Sequence, residues 1–425
     1  MKTNHSSKTS LNKVIGAFLG TIIEYYDYSL YGFSAAIIAD KFFKATDHLT
    51  SLINVFAVYA VAYLSKPIGA YIFGRIGDIH GRKTALSITI IGIVIPTVII
   101  GLLPEYSSIG IWSTITLILC RLLQGIFIAG EYDGAAIYVI EHLGPKFRFT
   151  ASAITRCTGV IGLLLGIGAT NFFNAHIFPD WGWRIPFLLS LPLALIAIYY
   201  RQKFDETPEF KASKHRPLVT EKFSFLIKKQ WQVILTLIFL AGGFGVTYQV
   251  SIIFMKQYLP MVLPQTTFII SSFSVLIVMC FALFMPVAGF VADRFGAMIV
   301  VKLALIGTLI ASSFFIIAVY YQMTNLGLAA SLMLAASVAP FNALAHSIVI
   351  QAFQVKERYR LISFGHTIGS MLMSGTANYV CLRSMQKFNF NLFPILYLCV
   401  FAILAYFMVV LFNSTYKKII TNAAK

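Results

Sequence analysis

The sequence predicts an all-α integral membrane protein of twelve transmembrane helices arranged as two six-helix bundles. Three observations lead there. Of the 425 residues, 58% are hydrophobic and 12% charged, and the mean hydropathy is +0.80, whereas soluble domains carry roughly 45 to 50% apolar residues. Apolar stretches of the ~20 residues needed to cross the hydrocarbon as a helix recur twelve times along the chain. A glycine-rich and charged connection, Gly74-Arg-Ile-Gly-Asp78-Ile-His-Gly81-Arg82-Lys83, returns in worn form as Gly289-Phe-Val-Ala-Asp293-Arg294-Phe-Gly296. Its two aspartates lie 215 residues apart, about half the chain, and self-similarity at that spacing marks two related halves.

In chain order, residues 1–13 are polar and read as a cytoplasmic N-terminal tail. The apolar segments run approximately 14–39, 50–76, 84–103, 110–138, 149–174 and 185–202, then 230–255, 267–292, 298–321, 326–351, 360–382 and 392–416. The first is too long and too rich in internal acids for a cleavable signal, so it stays as helix 1. Residues 14–202 then make the N-terminal bundle and 230–416 the C-terminal one. Between them, 203–229 mixes charges of both signs with Pro208 and Pro217 and reads as a cytoplasmic linker. Residues 417–425 form a cytoplasmic C-terminal tail.

The formal charge of +17 does not describe a nucleic-acid binder, because Lys and Arg cluster in alternate short connections rather than along one stripe. Under the positive-inside rule that distribution puts both termini in the cytoplasm. Lys66, Arg121 and Arg156 are left at membrane depth. Cys120, Cys157, Cys280, Cys381 and Cys399 are scattered, with no Cys-x-x-Cys and no metal-ligand spacing. No phosphate-cradling Gly-x-x-x-x-Gly-Lys-Ser/Thr occurs, and no hydrophilic segment is long enough to fold separately. Neither a cofactor nor a metal is expected, and no nucleic acid or obligatory protein partner.

The repeated loop, with its trailing Arg82-Lys83, resembles the connection between helices 2 and 3 of the major facilitator superfamily. Further stretches resemble its metabolite:proton symporter branch, which includes proline/betaine, shikimate, citrate and 2-oxoglutarate carriers. They are Ile23-Glu24-Tyr25-Tyr26-Asp27-Tyr28 with Leu30-Tyr31-Gly32, Arg121-Leu-Leu-Gln124-Gly125 with Ala129-Gly130-Glu131, and Trp181-Gly-Trp183-Arg184-Ile-Pro186-Phe with Glu206-Thr-Pro208-Glu-Phe210. Departures stand at Lys66, Asp133, Arg156, His366 and Asn378. The resemblance implies the major facilitator fold, substrate bound between the two bundles and alternating access by rocking one against the other.

Asp27 and Arg121 are the leading functional pair. At 1.5 Å per residue, Asp27 lies about 20 Å from Val14 and Arg121 about 15 Å from Ile111, so both fall near the middle of the ~30 Å hydrocarbon. An intramembrane carboxylate costs roughly 2.5 to 3.5 kcal/mol, so it needs a cavity or a partner. A neighbouring arginine favours the charged carboxylate, and separation in a low-dielectric cavity favours the proton-bound form. Sugar porters of the superfamily pair a helix 1 aspartate with a helix 4 arginine, so the resemblance implies a proton switch here. A static ion pair that only fixes helix packing is the alternative.

Glu24 shares a helix face with Asp27 at i and i+3 and serves as a second proton site, a contact for a cationic group or a structural hydrogen-bonding residue. Tyr25, Tyr28 and Tyr31 line the same cavity or pack as ordinary membrane aromatics; as cavity residues they would hold a quaternary ammonium by cation–π attraction. Gln124, Gln249 and Asn342 are candidate substrate contacts. Lys66, Glu131 and Arg156, each about 5 to 10 Å from the cytoplasmic boundary, form a second cluster whose charges offset one another, read first as a structural or gating network and second as a substrate site. His346 and His366 are assigned no proton-transfer role.

Gly74 and Gly81 permit the tight loop, and Arg82 and Lys83 hold it on the cytoplasmic side. Asp78 either pairs across the bundle interface in one access state, as its family position implies, or caps the third helix. Asp293 and Arg294 are its counterparts. The function expected is proton-coupled import of a small polar metabolite across a bacterial cytoplasmic membrane, with a zwitterionic osmolyte such as proline or betaine as cargo. A dicarboxylate or shikimate-like acid is the alternative cargo. A passive channel, a nutrient sensor and a membrane-embedded enzyme using Glu24 and Asp27 are the alternatives of other classes.

Overall fold

Long runs of Leu, Ile, Val, Ala and Phe have no water to satisfy the backbone inside a bilayer, so each run closes its own hydrogen bonds as a helix. The computed structural model describes residues 4–43, 48–143, 147–175, 177–202, 230–350 and 355–423, with Glu206, Phe225, Ile227 and Lys228. Side chains are described for these except 4–17, His48, Asp78, Tyr132, Asp133, Ile137, 140–143, Ala345, His346, Val349, Ile350, 355–359 and 413–423. The expectations for Asp78 and His346 therefore lie outside the described side chains.

The first half contains α1 (Asn4–Phe33), α2 (Ala35–Phe42), α3 (His48–Ile79), α4 (Arg82–Leu102), α5 (Tyr106–Ile109), α6 (Ile111–Leu143), α7 (Arg148–Phe173), α8 (Ile185–Leu188) and α9 (Ser190–Gln202). The second contains α10 (Trp231–Tyr248), α11 (Met255–Val262), α12 (Ile270–Phe295), α13 (Ala297–Tyr320), α14 (Thr324–Ile350), α15 (Val355–Gly369), α16 (Ala377–Phe388) and α17 (Phe393–Ala423). Among the described residues ten helices are long and apolar enough to span a membrane. The two other expected spans fall where charge or a break dilutes the apolar run. One is α1, whose apolar stretch carries Glu24 and Asp27, and the other is the pair α15 and α16, interrupted by a π turn at Ser370–Ser374.

Two compact units divide the chain, one of Met1–Lys146 with Thr155–Pro217, the other of Phe147–Ile154 with Leu218–Lys425. In the first, α6 packs against α1, α3 and α4, while α9 closes on α1 and α4. Tyr26 donates its hydroxyl to the Pro186 carbonyl at 2.6 Å, which ties α1 to α8. In the second, α14 packs against α12 and α13, and α10 against α15 and α17. Gln249–Ile253 makes a π turn after α10, so both segments that face each other at α10 and α15 are broken by one; such turns frequently sit at functional sites.

The repeated loop is resolved into its parts. Gly81 has φ +102° and Gly296 has φ +93°, a region closed to most side chains, and each stands immediately before the next helix. The last glycine of each copy is thus the residue that makes the turn. Gly74 does not contribute to it: it lies inside α3, buried, because the helix continues to Ile79.

Candidate functional site

Within the first unit, Asp27 of α1 and Arg121 of α6 are both buried, at 2% and 1% exposure. They are linked through intervening side chains rather than by a direct ion pair. Arg121 Nη1 donates to Gln124 Oε1 at 2.8 Å, Gln124 Nε2 donates to Thr97 Oγ1 at 2.6 Å, and Thr97 Oγ1 lies 3.1 Å from Asp27 Oδ2. Gln124 follows Arg121 by three residues, which puts both on one face of α6. The guanidinium is held away from the carboxylate by aromatic stacking, its Cζ lying 4.3 Å from the Tyr31 ring centroid and 5.3 Å from that of Tyr59. Such contacts are worth about 2 kcal/mol when desolvated. Asp27 Oδ1 and Arg121 Nε and Nη2 are buried with no hydrogen-bond partner among the described residues.

The close approach of α3 and α6 makes this geometry possible. A side chain at Gly125 would collide with the Ala62 carbonyl, and Ser65 Oγ bonds the Leu122 carbonyl at 2.7 Å across the same crossing. Small residues at such crossings let membrane helices touch backbone to backbone.

The three helix 1 tyrosines expected around the cargo point in different directions. Tyr25 lies against Gly159 of α7. Tyr28 and Tyr31 face α3, where Tyr28 meets Tyr59 and Tyr63 at centroid distances of 5.3 and 6.2 Å, and Tyr31 meets Tyr59 at 5.9 Å. Lys66 Nζ caps the group, 3.9 Å from the Tyr63 centroid and 5.7 Å from that of Tyr28. Glu24 is buried on the Asp27 side of α1. Sequence reading passed over Tyr59 and Tyr63; their signal is the i, i+4, i+7 stripe Tyr59, Tyr63, Lys66 on one helix face. Thr97 carried no signal, since a lone threonine in an apolar helix is usually neutral packing.

The expected mutual pairing of Glu131, Arg156 and Lys66 is corrected at Glu131. Its carboxylate pairs with Arg201 of α9: Nη1 donates to Oε2 at 3.0 Å, and Nη2 pairs with Oε1. Thr89 donates to the same Oε2 at 2.7 Å, and Arg201 Nη1 also contacts the Leu86 carbonyl. Both partners are essentially inaccessible, at 0% and 1%, so three helices, α4, α6 and α9, converge on one neutralised charge pair. Lys66 goes instead to the tyrosines, and Arg156 is buried on α7.

At the loop between α3 and α4, Arg82 is buried and donates through Nη1 to the Gly77 carbonyl at 2.6 Å, so it stitches the turn. The N-terminus of α4, considered from sequence as a position for Asp78, is capped by Glu206. Its Oε1 accepts the Arg82 N–H at 3.0 Å and its Oε2 the Lys83 N–H at 3.3 Å, and Lys83 Nζ reaches the Gln202 carbonyl at 3.0 Å. A carboxylate there complements both the orphan donors and the helix dipole.

The second unit repeats the device. Asp293 accepts the Phe149 and Thr150 N–H groups at 3.2 and 3.0 Å and the Thr150 hydroxyl at 2.6 Å, capping α7. Gly289, one turn earlier, leaves the space in which the Phe149 carbonyl and Ala153 sit. Arg294 folds back over Phe290, 4.3 Å from its centroid.

Elsewhere in that unit Asn342 Nδ2 donates to the Val338 carbonyl at 3.2 Å and lies 3.5 Å from Thr247 Oγ1. Gln249, at the π turn after α10, lies 3.5 Å from Asn378 Nδ2 across the gap to α16. His366 stacks on Phe244 at 5.5 Å. Among the described residues no group of three His, Cys, Asp or Glu side chains could hold a metal.

Residues 13–230 match the family model described as sugar (and other) transporter. Over 410 residues the chain is 30% identical to a proline/betaine transporter of Escherichia coli, covering 92% of this chain and 81% of that protein. A glycine betaine/proline/ectoine/pipecolic acid transporter of Dickeya dadantii is 31% identical over 412 residues, with 92% and 81% covered. In fold the chain is similar to the proton:xylose symporter XylE, with a TM-score of 0.74 over 94% of this chain and 95% of that one at 17% identity. The buried charges of α1 and α6, the paired loops and these likenesses have one explanation: the chain belongs to the sugar (and other) transporter family, within the major facilitator superfamily.

Proposed function

We propose that this transporter is a proton-driven symporter importing a small zwitterionic osmolyte, such as proline or betaine, across a bacterial cytoplasmic membrane with both termini inside. In this reading residues 14–202 and 230–416 are its two six-helix halves and 203–229 the linker. The observation that carries it is the chain Asp27, Thr97, Gln124, Arg121. A threonine hydroxyl has one proton to give. With Asp27 ionised, that proton goes to the carboxylate. With Asp27 proton-bound, it is released to the Ile93 carbonyl, 2.9 Å away, and the hydroxyl remains the acceptor for Gln124. The hydroxyl accepts from Gln124 in both states, so the protonation state of Asp27 sets the direction of the Thr97 proton, and Thr97 links Asp27 to the amide that positions Arg121.

Arg121 keeps Nε and Nη2 for an anion, which suits the carboxylate of a zwitterion, and the adjoining tyrosines suit its ammonium. The names of the similar transporters from E. coli and D. dadantii point to the same cargo class. The test is uptake of labelled proline, betaine, 2-oxoglutarate, citrate and shikimate into proteoliposomes, with and without a protonophore. A zwitterion is expected to accumulate, the protonophore to abolish accumulation, and Asp27→Asn to lose accumulation while retaining exchange. Protonophore-insensitive accumulation would overturn the coupling, and accumulation of an organic acid alone would overturn the cargo.

A further inference from the structure

Four tyrosines and two cations share one cluster in the first unit, and its two ends differ. At one end Tyr31, Tyr59 and Arg121 are sealed, each at 1% exposure or less, and Arg121 is further held by Gln124. At the other end Tyr28 and Lys66 are only partly buried, and the ammonium rests 3.9 Å from the Tyr63 centroid and 5.7 Å from that of Tyr28. Tyr59 backs this end, 5.3 and 5.8 Å from the same two rings. The sealed end is closed to solvent, whereas the open end presents ring faces to a charge on a flexible four-carbon stem.

A primary ammonium is a compact, strongly hydrated ion and gives up water reluctantly. An N-methylated or ring-embedded ammonium surrenders less hydration and is the kind of cation that tyrosine faces hold well. The tether gives Lys66 an effective concentration of roughly millimolar order, so a free ligand must compete with it. We propose that Tyr28, Tyr59 and Tyr63 form an ammonium subsite whose resting occupant is Lys66, and that Lys66 sets cargo affinity by competing for it. This rests on the zwitterionic-cargo reading for its physiological ligand, but the subsite can be tested without it.

The probe is tetramethylammonium, titrated by calorimetry into the purified full-length protein. Lys66→Met preserves side-chain length and removes the competitor, so binding is expected to tighten on the order of tenfold. Lys66→Arg keeps a cation on the rings and is expected to bind no better than the wild type. In Lys66→Met with Tyr63→Leu the gain is expected to vanish. No gain in Lys66→Met, or a gain that survives Tyr63→Leu, overturns the subsite. Should Lys66→Met not fold, the wild type supplies the readout. Acylation of Lys66 by acetic anhydride, followed by mass spectrometry, is expected to rise with tetramethylammonium relative to sodium at equal ionic strength, and an unchanged rate overturns the proposal. Betaine uptake separates the two readings: its absence with probe binding intact sinks the cargo assignment and leaves the subsite, and the converse sinks the subsite alone.

Discussion

Thr97 Oγ1 stands between two acceptors, 3.1 Å from Asp27 Oδ2 and 2.9 Å from the Ile93 carbonyl oxygen, while it accepts from Gln124 Nε2 at 2.6 Å. Replacing it with an isosteric apolar residue severs the connection between Asp27 and Arg121 and leaves both residues in place. Thr97→Val is therefore expected to reduce protonophore-sensitive accumulation by roughly 10-fold or more, since a hydrogen bond to a charged group is worth about 1.5 to 3 kcal/mol. Cargo exchange across the membrane in the absence of a proton gradient is expected to stay near wild type. Equal losses in both assays would mean that Thr97 serves packing only.

Glu131 and Arg201 neutralise each other where neither has access to water. Removing one charge strands the other, at a cost of roughly 3 to 5 kcal/mol. Glu131→Gln is expected to lower the melting temperature of the detergent-purified protein markedly. Glu131→Gln combined with Arg201→Met is expected to recover much of the loss, because the stranded charge has gone. A double variant less stable than the single would contradict this account.

Asp293 caps α7 through two backbone N–H groups and one hydroxyl. Asp293→Ala is expected to cost about 1 kcal/mol as an N-cap loss, with Asp293→Asn retaining most of it. Because the contact joins the last turn of α12 to the start of α7, the readout of interest is the initial rate of uptake, expected to fall more in the alanine variant than in the asparagine one. Equal rates in the two variants would separate capping from transport.

Glu206 holds the Arg82 and Lys83 N–H groups, and Asp78 precedes them by one turn. Glu206→Gln keeps one acceptor and loses the charge at the helix start, worth about 0.3 to 1 kcal/mol. Asp78→Asn is expected to insert normally and to slow transport. Cell-surface quantity measured beside uptake kinetics checks both, and normal kinetics in Asp78→Asn would remove the loop from the conformational cycle.

The sequence by itself determined what depends on local chemistry. Hydropathy and length set the helical spans, the recurrence of Gly-x-x-x-Asp-x-x-Gly revealed the duplication, and depth counted along each helix put Asp27 and Arg121 near the midplane. The glycines at 81 and 296 were legible as turn residues because positive φ is a property of one residue. Gly74 was misread because where a helix ends is decided by its neighbours.

Tertiary structure alone decided the pairings. Thr97 stands 70 residues from Asp27 and Arg201 stands 70 from Glu131, with other helices between them in sequence. In an apolar helix every threonine resembles every other until the facing helix is known, so the relay residue left no mark. Arg121 and Lys66 were both legible as membrane-depth cations seeking partners. That Arg121 settles on tyrosine faces rather than on the Asp27 carboxylate, and that Lys66 lies over the Tyr63 and Tyr28 rings, follows from how closely α1, α3 and α6 cross, and helix crossings are set by packing between segments distant in the chain.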